Sequence, residues 1–118
     1  MLTLARADIQ LLMPMSDAIA LMKIAFIELS AGRAQSPLRT VIQEAEQQID
    51  ALFMPASVPA LDALGLKVVS VAHQNPDRGL PLIHAVVFLL DPATGQPLAL
   101  LDGTYLTALR TGAVSGAA

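Results

Sequence analysis

Gly65-Leu-Lys-Val-Val-Ser-Val-Ala72 and Ile83-His-Ala-Val-Val-Phe-Leu-Leu90, separated by Asn75-Pro-Asp-Arg-Gly79, decide the fold. Leu66 to Ala72 is valine-rich and reads as a strand. Ile83 to Leu90 is an almost wholly apolar run of strand length, suited to burial on both faces of a covered sheet. Asn75, Pro76, Asp77 and Gly79 favour a turn over 75–79. Downstream, Asp91-Pro-Ala-Thr-Gly95 reads as a hairpin loop leading to a short strand from Pro97 to Leu101. Six of the eight prolines lie between positions 55 and 97, where they punctuate short strands rather than break helices.

Upstream, residues 3 to 31 read as helical. Thr3 is placed to cap a short helix through Met13, which Pro14 ends, and Ser16 and Asp17 offer caps for a second helix. Ala18, Leu21, Met22, Ala25, Phe26 and Leu29 form one apolar stripe on that second helix. Ile19, Ile24 and Ile27 extend apolarity around it, so the helix is expected to be covered on more than one side, with Gly32 as C-cap. Residues 39–54 are ambiguous. Ile42, Ala45, Ile49, Leu52 and Phe53 fit helical spacing, while Arg39-Thr-Val-Ile42 begins like a strand. At the other end, Asp102, Gly103 and Thr104 start a helix whose stripe is Leu106, Leu109, Ala113 and Ala117. Its last residues, Thr111 to Ala118, are small and uncapped, leaving room for another backbone and giving the helix an interrupted look. Helices followed by a run of strands, with no βαβ alternation, point to an α+β fold: two N-terminal helices, a mostly antiparallel twisted sheet of five to six strands and a C-terminal helix.

The 118 residues suit one domain, and a chain of this length needs no disulfide or metal to hold a core. Hydrophobic residues make up 54% and charged ones 14%, too few charges to cover a domain's surface. An apolar face meeting another subunit or domain is therefore expected. Seven basic and ten acidic residues with no basic run argue against nucleic acid as a partner. The longest charge-free stretch, Gly79 to Leu90, is too short to span a membrane, and Arg6 and Asp8 interrupt any leader-like start, which points to the cytoplasm. There are no cysteines, and two histidines eleven positions apart make a poor metal set, so no metal is expected.

Three cations have apolar neighbours. Arg110 lies four residues from both Leu106 and Val114, on or beside the helix's buried stripe, where its guanidinium needs an anionic partner. Lys67 shares a strand face with Gly65, Val69 and Val71, and the missing side chain at Gly65 would leave room for a ligand. Arg39 alternates with Val41. The bland alternatives stand beside these: strand lysines protect edges, and arginine stems lie on apolar surface with their heads in water. His84 reads as a buried, hydrogen-bonded histidine and His73 as a solvated one. Glu44 and Glu46 read as a solvated face, and Gly103, Gly112 and Gly116 make no dinucleotide fingerprint.

Gly65-Leu-Lys-Val-Val-Ser-Val71, Arg78-Gly-Leu-Pro81, His84-Ala-Val-Val87, Pro97-Leu-Ala-Leu-Leu-Asp102 and Leu106-Thr-Ala-Leu-Arg-Thr-Gly-Ala113, in this order, resemble the ornithine cyclodeaminase/mu-crystallin family. The resemblance covers essentially the whole chain and is most specific from 65 to 113, with Pro37-Leu-Arg39 an anchor before that. It implies a homodimeric, NAD- or NADP-dependent enzyme acting at the Cα of an amino or imino acid, by cyclodeamination, imine reduction or amino-acid dehydrogenation. It implies that Arg39, Lys67 and Arg110 surround the substrate carboxylate, that Lys67 is catalytic, and that Arg110 and Thr111 also face the cofactor. Members often carry a hydroxyl residue where Leu82 stands, which makes Leu82 a cofactor-side position with one contact in doubt. Residues 1–118 then correspond to the substrate-binding and dimerisation domain, a fragment without the Rossmann domain and its catalytic aspartate, expected to be silent alone. The alternative is a non-enzymatic, mu-crystallin-like ligand-binding or scaffolding dimer. The resemblance also tips residues 39–54 toward a hairpin, although Glu46-Gln-Gln48 replaces the glycine expected in its turn.

Overall fold

The valine-rich segments pair as their composition requires, and the other strands assemble outward from them. A computed structural model describes residues 1–117, with Ala117 described in its backbone alone. In chain order its elements are β1 (Leu2–Leu4), α1 (Arg6–Leu12), α2 (Met15–Ser30), β2 (Thr40–Glu44), β3 (Ile49–Val58), β4 (Ala63–Ala72), β5 (Ile83–Leu90), β6 (Pro97–Asp102) and α3 (Gly103–Ala117). The strands form one sheet in the order β1-β6-β5-β4-β3-β2, antiparallel except for the β1–β6 edge pair. The fold is α+β.

Residues 39–54 form a hairpin. Gln48 takes a left-handed conformation (φ 53°) in the turn, the role expected of a glycine. Its carbonyl accepts the His73 N–H at 3.0 Å, which ties the turn to the end of β4. The N-terminus differs from its helical reading. Leu2-Thr3-Leu4 is a strand, paired with Ala99 to Leu101. The first helix starts instead at Arg6, where the Asp8 carboxylate accepts the Ala5 N–H at 2.8 Å. In α2 the cap is Pro14, whose carbonyl accepts the N–H of Asp17 and Ala18, rather than Ser16 or Asp17.

The registers divide the sheet into two faces. One carries Met54, Lys67, Val87, Leu101 and Leu4 in a single row, flanked by a row of Ala56, Gly65, Leu89, Ala99 and Leu2. Helix α3 lies on this face, and α2 packs on α3 through a core of Ala18, Leu109 and Ala113. The small residues of α3 do admit a neighbour. A Cβ on Gly112 would come within 3.1 Å of Met15, and one on Gly116 would clash with Ile19. The α3 stripe can be followed to Ala113, because the Ala117 side chain and Ala118 lie outside the described residues. The opposite face, with Phe53, Val68 and Val86 in one row and Pro55, Leu66, Phe88 and Leu100 in the next, carries no helix. Val86 is accordingly 38% exposed and Ile42 56%. The cover expected around α2 is also not supplied, for Ile27 is 61% exposed.

His84 is corrected by this geometry. It belongs to the open face, opposite Ser70, and is exposed rather than buried. Gly65 is also explained differently. A Cβ there would stand 2.7 Å from the Phe88 carbonyl oxygen, so the glycine permits β4 and β5 to approach. Gly65→Ala is expected to lower stability by about 1–3 kcal/mol through overpacking. Urea unfolding measures it, and an unchanged midpoint would contradict the close approach.

Candidate functional site

Lys67 sits mid-strand on the helix-bearing face, between Met54 on β3 and Val87 on β5. Helix α3 crosses above it. Gly103 lets the start of α3 press against β5, since a Cβ there would meet the backbone of Ala85 and Val86 at 2.7 Å. One turn and two turns further on, Thr107 and Arg110 come to stand over the strand lysine. Lys67, Val87, Leu106, Thr107 and Arg110 line a cleft of about 180 Å3.

The electrostatics of the cleft are one-sided. Burial pushes the Lys67 ammonium below the usual lysine range, and the positive charges of Arg110 and Arg39 push it further in the same direction. Lys67 is half-buried, whereas Arg39 and Arg110 are exposed. Among the described residues the ion pairs are Arg33–Glu28 at 2.7 Å and His73–Asp50 at 3.1 Å, and none of the three cations takes part in one. Lys67 and Arg110 therefore share a cleft that no carboxylate lines, and the Arg39 charge adds to the positive field at Lys67. Such an arrangement suits an external anion, and the planar guanidinium forks suit a carboxylate held bidentately.

Of the three cations that the resemblance gathers around one carboxylate, Lys67 and Arg110 line the same cleft, and Arg39 does not line it, although its charge reaches the Lys67 ammonium. Thr111 is not in the cleft. It is exposed, and its hydroxyl donates to the Thr107 carbonyl at 2.9 Å. Leu82 stands apart, five residues along the chain from Val87, or ~17 Å at strand rise. Thr107 was missed. Its hydroxyl donates to the Gly103 carbonyl at 2.7 Å, leaving its lone pairs for the cleft. The i, i+3 spacing to Arg110 was the available signal.

On the open face, Ser70, His84, Asp102 and Thr104 share a shallow concavity. They do not form a catalytic triad, because the Asp102 carboxylate accepts the Thr104 and Tyr105 N–H groups at 3.2 and 3.3 Å. That capping also fills the N-terminus of α3, the place where a helix would otherwise take a phosphate. No group of three or more histidine, aspartate or glutamate side chains suited to a metal occurs among the described residues. No single helix there is long and apolar enough to cross a membrane, although the bent pair α1 and α2 passes that test together by length and composition.

The family model described as ornithine cyclodeaminase/mu-crystallin matches residues 1–118. The chain belongs to the ornithine cyclodeaminase/mu-crystallin family. Within that family it is 45% identical over 118 residues to a Delta(1)-pyrroline-2-carboxylate reductase of Bacillus cereus, a match covering 100% of this chain and 36% of that protein. A solved Thermococcus litoralis Delta(1)-pyrroline-2-carboxylate reductase in complex with NADH and L-proline superposes with a TM-score of 0.93 at 45% identity, over 98% of this chain and 36% of that one. An archaeal alanine dehydrogenase dimer with bound NAD superposes with a TM-score of 0.89 at 37% identity, over 98% and 35%. The family chain thus spans about a third of the length of these relatives.

Lys67 carries the strain of the arrangement in its charged form. Its pKa is depressed below the ordinary value of 10.5, so the unfolded state binds more protons in the window just below that value. Its unfavourable contribution is fully present below the depressed value and fades as pH rises through the window. Lys67→Met is therefore expected to raise the melting temperature at neutral pH by a few degrees, with the gain shrinking as pH climbs toward 10.5. Calorimetry against pH measures this, and a lower melting temperature for the variant would contradict it.

Proposed function

We propose that this chain supplies the carboxylate-holding half of the active site of an NAD(P)-dependent enzyme that reduces an imino acid, or oxidises the corresponding amino acid, at Cα. The observation that carries the reading is that Lys67 and Arg110 line one cleft with no carboxylate in it, while the Arg39 charge also reaches the Lys67 ammonium. The likeness to pyrroline-2-carboxylate reductases and to an alanine dehydrogenase supports it.

In this reading the Arg110 fork and the Lys67 ammonium hold the two carboxylate oxygens, and Arg39 closes the positive ring from the β2 side. A bound carboxylate offsets the mutual repulsion of the cations, so substrate binding stabilises the fold. With the carboxylate pinned, Cα cannot turn, and orientation of this kind accounts for a large part of a catalytic effect. Lys67 is catalytic in that sense. The nicotinamide cofactor, when bound, supplies or accepts the hydride. The residues here fit the substrate's anion, and the reading assigns Arg110 and its neighbour Thr111 to the cofactor side. The N-terminus of α3 offers no phosphate cradle, since the Asp102 carboxylate occupies it. No carboxylate lines the Lys67 cleft to act as acid or base, so the 118 residues alone are expected to bind without turning over.

The uncovered face of the sheet is assigned to a second copy of the chain. Its apolar rows fit a self-complementary interface, and one relative is described as a dimer. Analytical ultracentrifugation is expected to show a dimer for the chain and a monomer for Val86→Glu; a monomeric parent chain would contradict the assignment.

The carboxylate reading is tested by titrating the chain with L-proline and with L-prolinamide, which lacks the anion. Proline is expected to bind and prolinamide not to. Arg110→Gln should weaken proline by about tenfold to a hundredfold, the worth of a hydrogen bond to a charged group. Equal binding of the two molecules, or an unaffected variant, would refute it.

A further inference from the structure

Met54, Ala56, Gly65 and Leu89 frame a second cleft, of about 220 Å3, on the same sheet face as the cations. It adjoins the first, for Lys67 and Val87 line both. The registers show why it is hollow. Ala56 faces Gly65 across the β3–β4 ladder and Leu89 faces Gly65 across the β4–β5 ladder, so the middle position has no side chain. Leu89 leans over the gap, with its Cδ2 atom 3.0 Å from where a Gly65 Cβ would stand. Apart from Lys67 itself, every residue lining this cleft is apolar.

We propose that this trough seats the side chain or ring attached to Cα, and that the site thereby selects amino and imino acids with uncharged apolar side chains over diamino acids. The inference rests on the carboxylate reading and adds to it. A substrate whose carboxylate is held at Lys67 and Arg110 sends its side chain into space that adjoins that anchor; the trough adjoins it at Lys67, and is larger than the apolar pocket of about 140 Å3 that adjoins it at Arg110. A ring of methylenes loses only water there. The terminal ammonium of a diamino acid would be desolvated against aliphatic groups and would face three like charges with no carboxylate in the trough to offset them. The lining therefore selects on side-chain charge, while the cations select the acid.

Titration of the 118-residue chain with L-proline and L-ornithine, followed by amide chemical shifts, tests this. Proline is expected to bind at least about tenfold tighter, the discrimination that an unpaired polar group imposes. Ala56→Asp changes an exposed position opposite a glycine and places a carboxylate in the trough, so it should bring ornithine level with proline or above it. Val58→Asp, at the far end of the trough, carries the same expectation if the circular dichroism of the first variant shows that it has not folded. Equal binding of the two acids by the parent chain, or a ratio unchanged in the folded variant, would overturn the selectivity and leave the carboxylate site standing. Binding of neither acid would overturn the carboxylate reading together with the inference built on it.

Discussion

The cost of keeping Lys67 charged, set first by burial and then by the charges of Arg110 and Arg39, is the constraint from which the site is read. A lysine in the middle of a sheet face loses hydration, and two guanidinium groups beside it make its charge harder to keep. A structure selected for stability alone would place a carboxylate there or replace the lysine with methionine. In the proposed reading the partner of the cations arrives from outside, and a bound anion would relieve the cost of the unpaired charges.

The fold enforces that proximity with backbone rather than with long side chains. Lys67 is fixed by a ladder on both sides, to Met54 and to Val87, so it cannot drift from its row. Arg110 is fixed by the helix that follows the last strand, and Gly103 sets that helix close to the sheet by removing the Cβ that would strike β5. Asp102 then caps the helix and ties its start to the end of β6. Arg39 comes from the base of the β2–β3 hairpin, whose turn depends on a left-handed Gln48. Each cation is thus carried by a different part of the chain, and the three come near one another only when the sheet and α3 are assembled. The apolar cleft beside it has the same origin, since the glycine that allows β4 and β5 to meet also leaves the gap.

Much of this was legible in the sequence where local pattern and tertiary role agree. The apolar β5 run, the turn at 75–79 and the valine-rich β4 are placed by composition, and the three cations stand out because their neighbours are apolar. Residues 39–54 were undecided between helix and hairpin because Glu44, Glu46 and Gln47 favour helix while Thr40, Val41 and Ile42 favour strand; pairing with β4 settles it. The short strand Leu2–Leu4 was invisible because three residues carry no period, and its partner lies nearly a hundred positions away. His84 misled because apolar sequence neighbours imply burial only when both faces of a sheet are covered. Gly65 was noticed for the right reason of space, but the space is needed first by the Phe88 carbonyl. Thr107 shares a helix face with Arg110 but carries no charge that would single it out in the sequence.

The surplus of apolar residues is spread over the open sheet face and the outer side of α2, which explains why so few charges suffice for this sequence. The cation cluster is a separate matter, and it can be observed directly. The chain has two lysines, Lys23 and Lys67, so selective labelling gives one resonance for each. Titration of the Lys67 ammonium by nuclear magnetic resonance, in the parent chain and in Arg110→Gln, reads the charge environment at Nζ. The account predicts that Lys67 loses its proton below the ordinary lysine range in the parent and shifts upward once the Arg110 charge is gone. Identical titration in the two proteins would show that the charges do not meet, and the binding site inferred from them would not exist.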